Sequence, residues 1–274
     1  MQYRPNLGYV YPEQSDEHMI KVKHIVDTNF DDNYNYLDKS LWYKIKRVIL
    51  WIGLQLIAFP FVTLHFGLKI KGRKNIKENK KLFKKGAITI SNHVLMLDYL
   101  LVLKGIRPHL QYHPGWATNF EGKNRIFIRW VGGIPVPTNN YKAMAKFSKT
   151  IDEVLENNKW LHFFPEGSMW FYYPDIRPIK KAVFKFAVKH NKPLIPMAIS
   201  FRPRKGLYKL FGKKPCATLN IGKPILPNLD LPINEAIETM RVKAYHDMQV
   251  LAGINPGDPT YNTDLEIKNY KKTC

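Results

Sequence analysis

The sequence predicts an α/β fold: a mixed, largely parallel sheet flanked by helices, preceded by an N-terminal membrane-associated helical segment. Two observations carry the sheet. From residue 86 onward, short apolar runs alternate with helix-length stretches. No repeat period and no internal linker divides that region, so it is expected to share one core. A third observation carries the membrane segment, namely an uncharged run of 21 residues from Val48 to Leu68. With 274 residues the chain is long enough for a sizeable core. Its 45% hydrophobic content excludes a disordered chain. Two cysteines, Cys216 and Cys274, exclude a disulfide scaffold or a Cys-rich zinc module and fit a reducing compartment.

The charge is uneven. The chain carries 43 Lys and Arg against 22 Asp and Glu, a net +21. Residues 1–40 hold four basic and seven acidic side chains, so this arm is −3 and the remainder is +24. Four regions are expected: an acidic arm (1–43), an apolar segment with basic flanks (44–72), an α/β domain (73–252) and a polar C-terminal tail (253–274). A net positive charge attracts nucleic acid and anionic lipid alike.

The apolar segment decides between them. Its length suits a bilayer, and Lys44, Lys46, Arg47, Lys69, Lys71, Arg73 and Lys74 flank it on both sides. A spanning helix normally has its basic excess on one side, and Pro60 sits mid-segment, where a helix kinks. The expectation is a monotopic or re-entrant helical hairpin on the cytoplasmic face of the cell membrane, held by an anionic surface. A buried core helix is the soluble alternative, but few core helices are apolar on every side.

After a basic connector (Lys69–Lys85), strands are expected at Ala87–Ser91, near His109–Ala117, at Trp160–Pro165, Pro193–Ser200 and Cys216–Gly222, with Gly132–Pro137 extended. Helices are expected at Val94–Gly105, around Arg125–Val131, and at Tyr141–Asn157, Lys180–His190 and Ile233–Ala252.

Two local patterns bear chemistry. In SNHVLMLD, Asn92 and His93 end a strand and Asp98 follows the histidine by five residues. Five residues of continuous helix would turn the two side chains about 140° apart. They meet only if His93 lies in the turn ahead of the helix. A carboxylate on one imidazole nitrogen then fixes the tautomer and makes the other nitrogen a base. A core histidine beside a helix-end aspartate would give the same spacing. In FFPEGSMW, an apolar strand ends at Pro165, and Glu166, Gly167 and Ser168 form a polar turn at its carboxyl end, where α/β sheets collect ligands. An ordinary strand-to-loop turn reads the same way. Arg177, Lys180, Lys181 and Lys185 follow as cations for an anionic group.

The order of the blocks is more specific than any one of them. NH-x4-D, then GGIPVP, then FPEGS, then PLIPMAI resemble, over roughly Gly86 to Gly222, the PlsC-type 1-acylglycerol-3-phosphate O-acyltransferase family (lysophosphatidic acid acyltransferases). The resemblance implies a glycerophospholipid acyltransferase-like fold and transfer of a fatty acyl group to the 2-hydroxyl of 1-acylglycerol-3-phosphate, giving phosphatidic acid for phospholipid biosynthesis. It makes His93 the general base and Asp98 its orienting partner. It places Asn92, Gly133, Ile134, Thr138, Glu166, Gly167 and Ser168 at the acceptor site, with Arg177, Lys180 and Lys181 as further candidates, and Pro196 near an acyl-chain tunnel. No metal and no resident cofactor are implied. The donor is a co-substrate: acyl-CoA, acyl phosphate or acyl carrier protein, which would then be a protein partner.

The sequence departs from the family twice. The second block usually ends in Arg, but here Thr138 follows Pro137, and Met169 stands where the third block usually has Arg. A phosphate acceptor would then need other cations, from Lys123, Arg125, Arg177, Lys180 and Lys181; otherwise the acceptor is another lysophospholipid or glycerol phosphate. No GxSxG elbow suggests a serine nucleophile, so direct transfer is expected. A basic nucleic-acid-binding protein is the rival from another class, but no nucleic-acid-binding signature accompanies the charge, and nucleic acid is not an expected partner. A metal hydrolase built on His93, Asp98 and Glu166 would lack a second histidine at ligand spacing.

Overall fold

The computed structural model describes residues 2–20, 30–138 and 140–255. The expectation for the tail therefore lies outside the described residues from 256 onward.

The sheet has seven strands: β1 Lys69–Lys71, β2 Ile88–Ile90, β3 Gln111–Trp116, β4 Gly133–Val136, β5 Trp160–Phe163, β6 Leu194–Arg202 and β7 Cys216–Ile221. Their order is β1-β7-β6-β2-β5-β3-β4. Every neighbouring pair is parallel except β6 with β7. This is the mixed, largely parallel sheet expected. The expected strands fall within a residue or two of the observed ones, because each is a buried apolar run bounded by Gly, Pro or polar residues.

Alternation along the strands divides the core. On β6, Leu194 and Ala198 face one cluster with Phe147, Ile151 and Val154 of α6 (Tyr141–Glu156), Phe184 of α7 (Ala182–Lys189) and Met240 of α8 (Ile233–Ala252). Ile195, Met197 and Ile199 face the opposite cluster, with Leu101 and Leu103 of α4 (Asp98–Gly105). Helices on both faces explain why the strands read as continuous apolar runs. Asn140 caps α6 by accepting from the Lys142 and Ala143 amides at 2.9 and 3.3 Å, and α8 ends at Gly253 in the left-handed region.

The apolar segment differs from expectation. It is one continuous helical run, α1 (Leu41–Gly53) passing through a π-helical turn (Leu54–Ala58) into α2 (Phe59–His65). It is not a hairpin. The Pro60 ring would press on the carbonyl four residues earlier, and the wider turn just ahead of it relieves that contact without breaking the helix. One side is docked on the domain through Tyr43, Arg47, Leu54, Phe59 and Val62, whereas Leu41, Val48, Ile52, Leu56 and Phe61 are exposed. Only 17% of the most apolar stretch is buried, which excludes the core-helix alternative.

The supposed connector Lys69–Lys85 contains β1, a short α3 (Arg73–Glu78) and a 3-10 turn (Leu82–Lys85). Its lysines hid an edge strand whose side chains are largely exposed. The last helix of the set, α5 (Arg125–Trp130), leads into β4.

Candidate active site

The site is built where β2 and β5, neighbours in the sheet, reach their carboxyl ends. β2 stops at Ile90, and α4 starts only at Asp98, so His93 lies in the turn ahead of the helix. This is the geometry in which the two side chains meet. His93 Nδ1 is 2.7 Å from Asp98 Oδ2. The same oxygen accepts from the Val94 and Leu95 amides at 3.0 and 3.3 Å, and Asp98 is buried. Phe164 stacks on the imidazole, with ring centres 4.0 Å apart. His93 is 26% exposed, and among the described residues none bonds its Nε2.

Several residues expected at the acceptor site make framework hydrogen bonds. Asn92 is fully buried and bonds both the amide and the carbonyl of Ile199. Glu166 turns inward: Oε2 accepts from the His93 amide at 3.1 Å and from Arg177 Nη2 at 2.8 Å, while Oε1 accepts from the Arg177 amide at 2.9 Å. Arg177 also donates to the Ser168 hydroxyl at 2.7 Å and to the Ser168 carbonyl. The carboxylate thus ties the His93 turn to the loop after β5, and its side chain is closed off from ligand. Burial of a charged pair is tolerated only where its charges meet such partners.

Gly167 and Lys180 are exposed. Gly167 has φ +84°, and a Cβ there would stand 3.0 Å from Lys180 Cε and 3.1 Å from its Nζ. The Lys180 amide donates to the Pro165 carbonyl at 2.8 Å, so its side chain runs over the turn. Lys181 points elsewhere, to Glu238 of α8 at 3.7 Å. Gly133 and Ile134 are buried in β4, where Ile134 lies opposite Pro114. Thr138 is exposed beyond that strand. Pro196 is buried inside the sheet, opposite Ile90.

Two features lie outside the residues assigned to the site. Beneath His93 runs a buried polar stripe: His162 Nδ1 lies 2.8 Å from the Thr89 hydroxyl, which donates to Gln111 Oε1 at 2.9 Å. The Tyr99 hydroxyl donates to the Gln111 and Val131 carbonyls, both at 3.1 Å. Burial, then Arg47 and His93, lowers the His113 imidazole to about 3. Burial, with His113 and His93, holds His162 well below its ordinary value. The signal was available, since Thr89, Gln111, His113 and His162 interrupt otherwise apolar strands.

The second feature is the acidic arm, whose aromatic residues pack on the domain. Tyr11 donates to the Phe171 carbonyl at 2.9 Å and stacks on Trp170, and Tyr9 stacks on Tyr172. Arg4 grips Asp175 with two bonds of 2.9 and 2.7 Å. Nothing in the sequence located these contacts.

The turns that end β2 and β5, with a histidine oriented by a buried carboxylate between them, make the candidate site of this α/β domain. Residues 67–200 match the family model described as Acyltransferase. The match bears out the resemblance drawn from the ordered blocks. No curated relative matches the sequence. Among solved structures the chain is similar to the 1-acyl-sn-glycerophosphate (LPA) acyltransferase, PlsC, from Thermotoga maritima. The identity is 18% over 77% of this chain and 84% of that one, with a TM-score of 0.49.

Proposed function

We propose that the protein is a glycerolipid acyltransferase that moves a fatty acyl group from a thioester or acyl-phosphate donor to the 2-hydroxyl of 1-acylglycerol-3-phosphate. The observation that carries this reading is the 2.7 Å contact of His93 Nδ1 with Asp98. Asp98 Oδ2 also accepts from two backbone amides, which fixes the carboxylate against Nδ1 and places the imidazole proton on that nitrogen. Nε2 is then the basic nitrogen. It removes the proton from the acceptor hydroxyl as that oxygen attacks the acyl carbonyl, and the thiol or phosphate of the donor leaves. Phe164 fixes the ring plane, so the base needs little reorganisation.

The exposed apolar side of α1–α2 would lie in the lipid interface, because the helix is docked along its length on α4 and α5. Lys44, Lys46, Lys69 and Lys71 flank it and would meet anionic head groups.

A second acceptor, a lysophospholipid without a terminal phosphate, is favoured by one observation: Arg177, the buried arginine of the site, has its charge met by Glu166. Incubating membranes that hold the protein with labelled acyl donors and a panel of lysolipids separates the two. His93→Ala is expected to lower transfer by about 10²–10⁴-fold with an unchanged melting temperature. Turnover within tenfold of wild type would refute the base assignment.

A further inference from the structure

The turn after β5 carries a second anion, and it comes from the chain itself. Residues 15–18 of the arm cross the loop that follows β5. The Ser15 carbonyl accepts from Arg177 Nη1 at 2.7 Å, and the Glu17 carbonyl accepts from Trp170 Nε1 at 2.9 Å. His18 stacks on Trp116, the last residue of β3, with ring centres 4.6 Å apart. Between these fixed points the Asp16 carboxylate lies 3.3 Å from Lys180 Nζ. The segment therefore bridges the carboxyl ends of β5 and β3. It also shares the surroundings of the base: burial, and then the charges of His93, Lys180 and Arg177, hold the His18 imidazole below its ordinary value.

Lys180 is the cation of this turn that a ligand can reach. Arg177 is sealed against Glu166, Lys181 is drawn to Glu238, and Lys180 runs over Gly167, where the absence of a side chain admits it. Its partner is weakly held. Lys180 and Asp16 are 45% and 53% exposed, and such a pair is screened by water and salt. A phosphomonoester brings nearly two negative charges and three acceptor oxygens to the same ammonium.

We infer that Asp16 occupies the anion position of the acceptor site, and that a phosphomonoester binds by displacing residues 15–18 from Lys180. The inference rests on the proposed acyltransfer reading for the identity of the acceptor. The anion chemistry itself is common to a lysolipid phosphate and to free inorganic phosphate. Asp16 is thus an internal competitor that sets how strongly the site demands a phosphate. It raises the concentration of phosphate acceptor needed and leaves a neutral or zwitterionic head group unaffected.

The test uses the full chain in detergent micelles. Amide hydrogen exchange of residues 14–20 is followed while inorganic phosphate, lysophosphatidic acid or lysophosphatidylcholine is added, with sodium chloride at matched ionic strength as control. Phosphate and lysophosphatidic acid are expected to accelerate exchange there, while lysophosphatidylcholine and chloride are not. In Lys180→Gln the segment should exchange fast from the start and ignore phosphate. In transfer assays, Asp16→Asn is expected to lower KM for lysophosphatidic acid, and the half-inhibitory concentration of phosphate, by about two- to fivefold, the range an exposed ion pair supports. KM for lysophosphatidylcholine should not move. Exchange that slows or stays unchanged with phosphate would overturn the inference, as would a raised KM in Asp16→Asn. If the wild-type protein acylates no lysolipid, the acyltransfer reading fails, while the exchange result still decides whether Asp16 yields to phosphate.

Discussion

Arg177 and Lys180 sit three residues apart in one loop, and each faces a carboxylate, yet the two pairs do different work. Arg177 and Glu166 are 2% and 0% exposed, 2.8 Å apart, and bonded further to the His93 turn and to Ser168. Lys180 and Asp16 are half exposed and 3.3 Å apart, and Asp16 comes from more than 160 residues away in sequence. Burial makes the first pair a frame: neither ion can leave without stranding the other in a poor dielectric. Exposure makes the second pair exchangeable, because water or another anion can replace either partner at little cost. A cation and a carboxylate therefore supply the rigidity of the site in one case and, by the inference above, its access to ligand in the other.

The largest effect should come from opening the buried pair. Arg177→Met is expected to cost about 3–5 kcal/mol by leaving Glu166 charged and unpaired, read by urea unfolding, and to abolish transfer because the His93 turn loses its tether. A loss below about 1 kcal/mol would break the comparison, since it would make the buried pair no more costly than a surface pair.

Acid attacks the same buried region from beneath. His113 is lowered to about 3 against an ordinary 6.5, and His162 is lowered well below it. The unfolded chain takes up protons near its ordinary value that the buried rings refuse. Stability is therefore full above that value and falls as the pH drops below it, by about 1.4 kcal/mol per unit for each histidine. Melting temperature followed from pH 7 to pH 5 should decline steeply, and His113→Gln should flatten the slope.

Gly167→Ala tests the seam between the two pairs. A side chain at φ +84° is strained and meets Lys180, so a loss of about 1–3 kcal/mol is expected. KM for a phosphate acceptor should rise as the ammonium is pushed aside. The smallest stability change belongs to Asp16→Asn, less than about 1 kcal/mol in thermal melts. A larger loss would mean that the arm is part of the frame.

Much of the fold was legible because its signals are local. The Leu194–Ile199 run had to be a strand buried on both faces, and α8 was bounded correctly at Ile233–Ala252 by its helical pattern and by Gly253. The His93–Asp98 pairing was legible as a condition, that the helix begin late, and the structure meets it. What was illegible depended on distant contacts. Pro60 suggested a break, but a π-helical turn absorbed it. Glu166 and Ser168 looked like ligand groups because their turn sits at the end of a strand. Only the approach of Arg177 shows that both face inward.

By itself, the sequence determined the α/β class, six of the seven strands in their chain order, the uncharged apolar segment and the histidine–carboxylate spacing. Each rests on residues that are close together or periodic, so composition and spacing suffice. Tertiary structure alone decided which charges are sealed and which are open. It docked one side of the apolar helix, buried Glu166 against Arg177 and laid Asp16 on Lys180. The worth of a charge depends on the water around it, and no local pattern of residues records how much water the folded chain will leave.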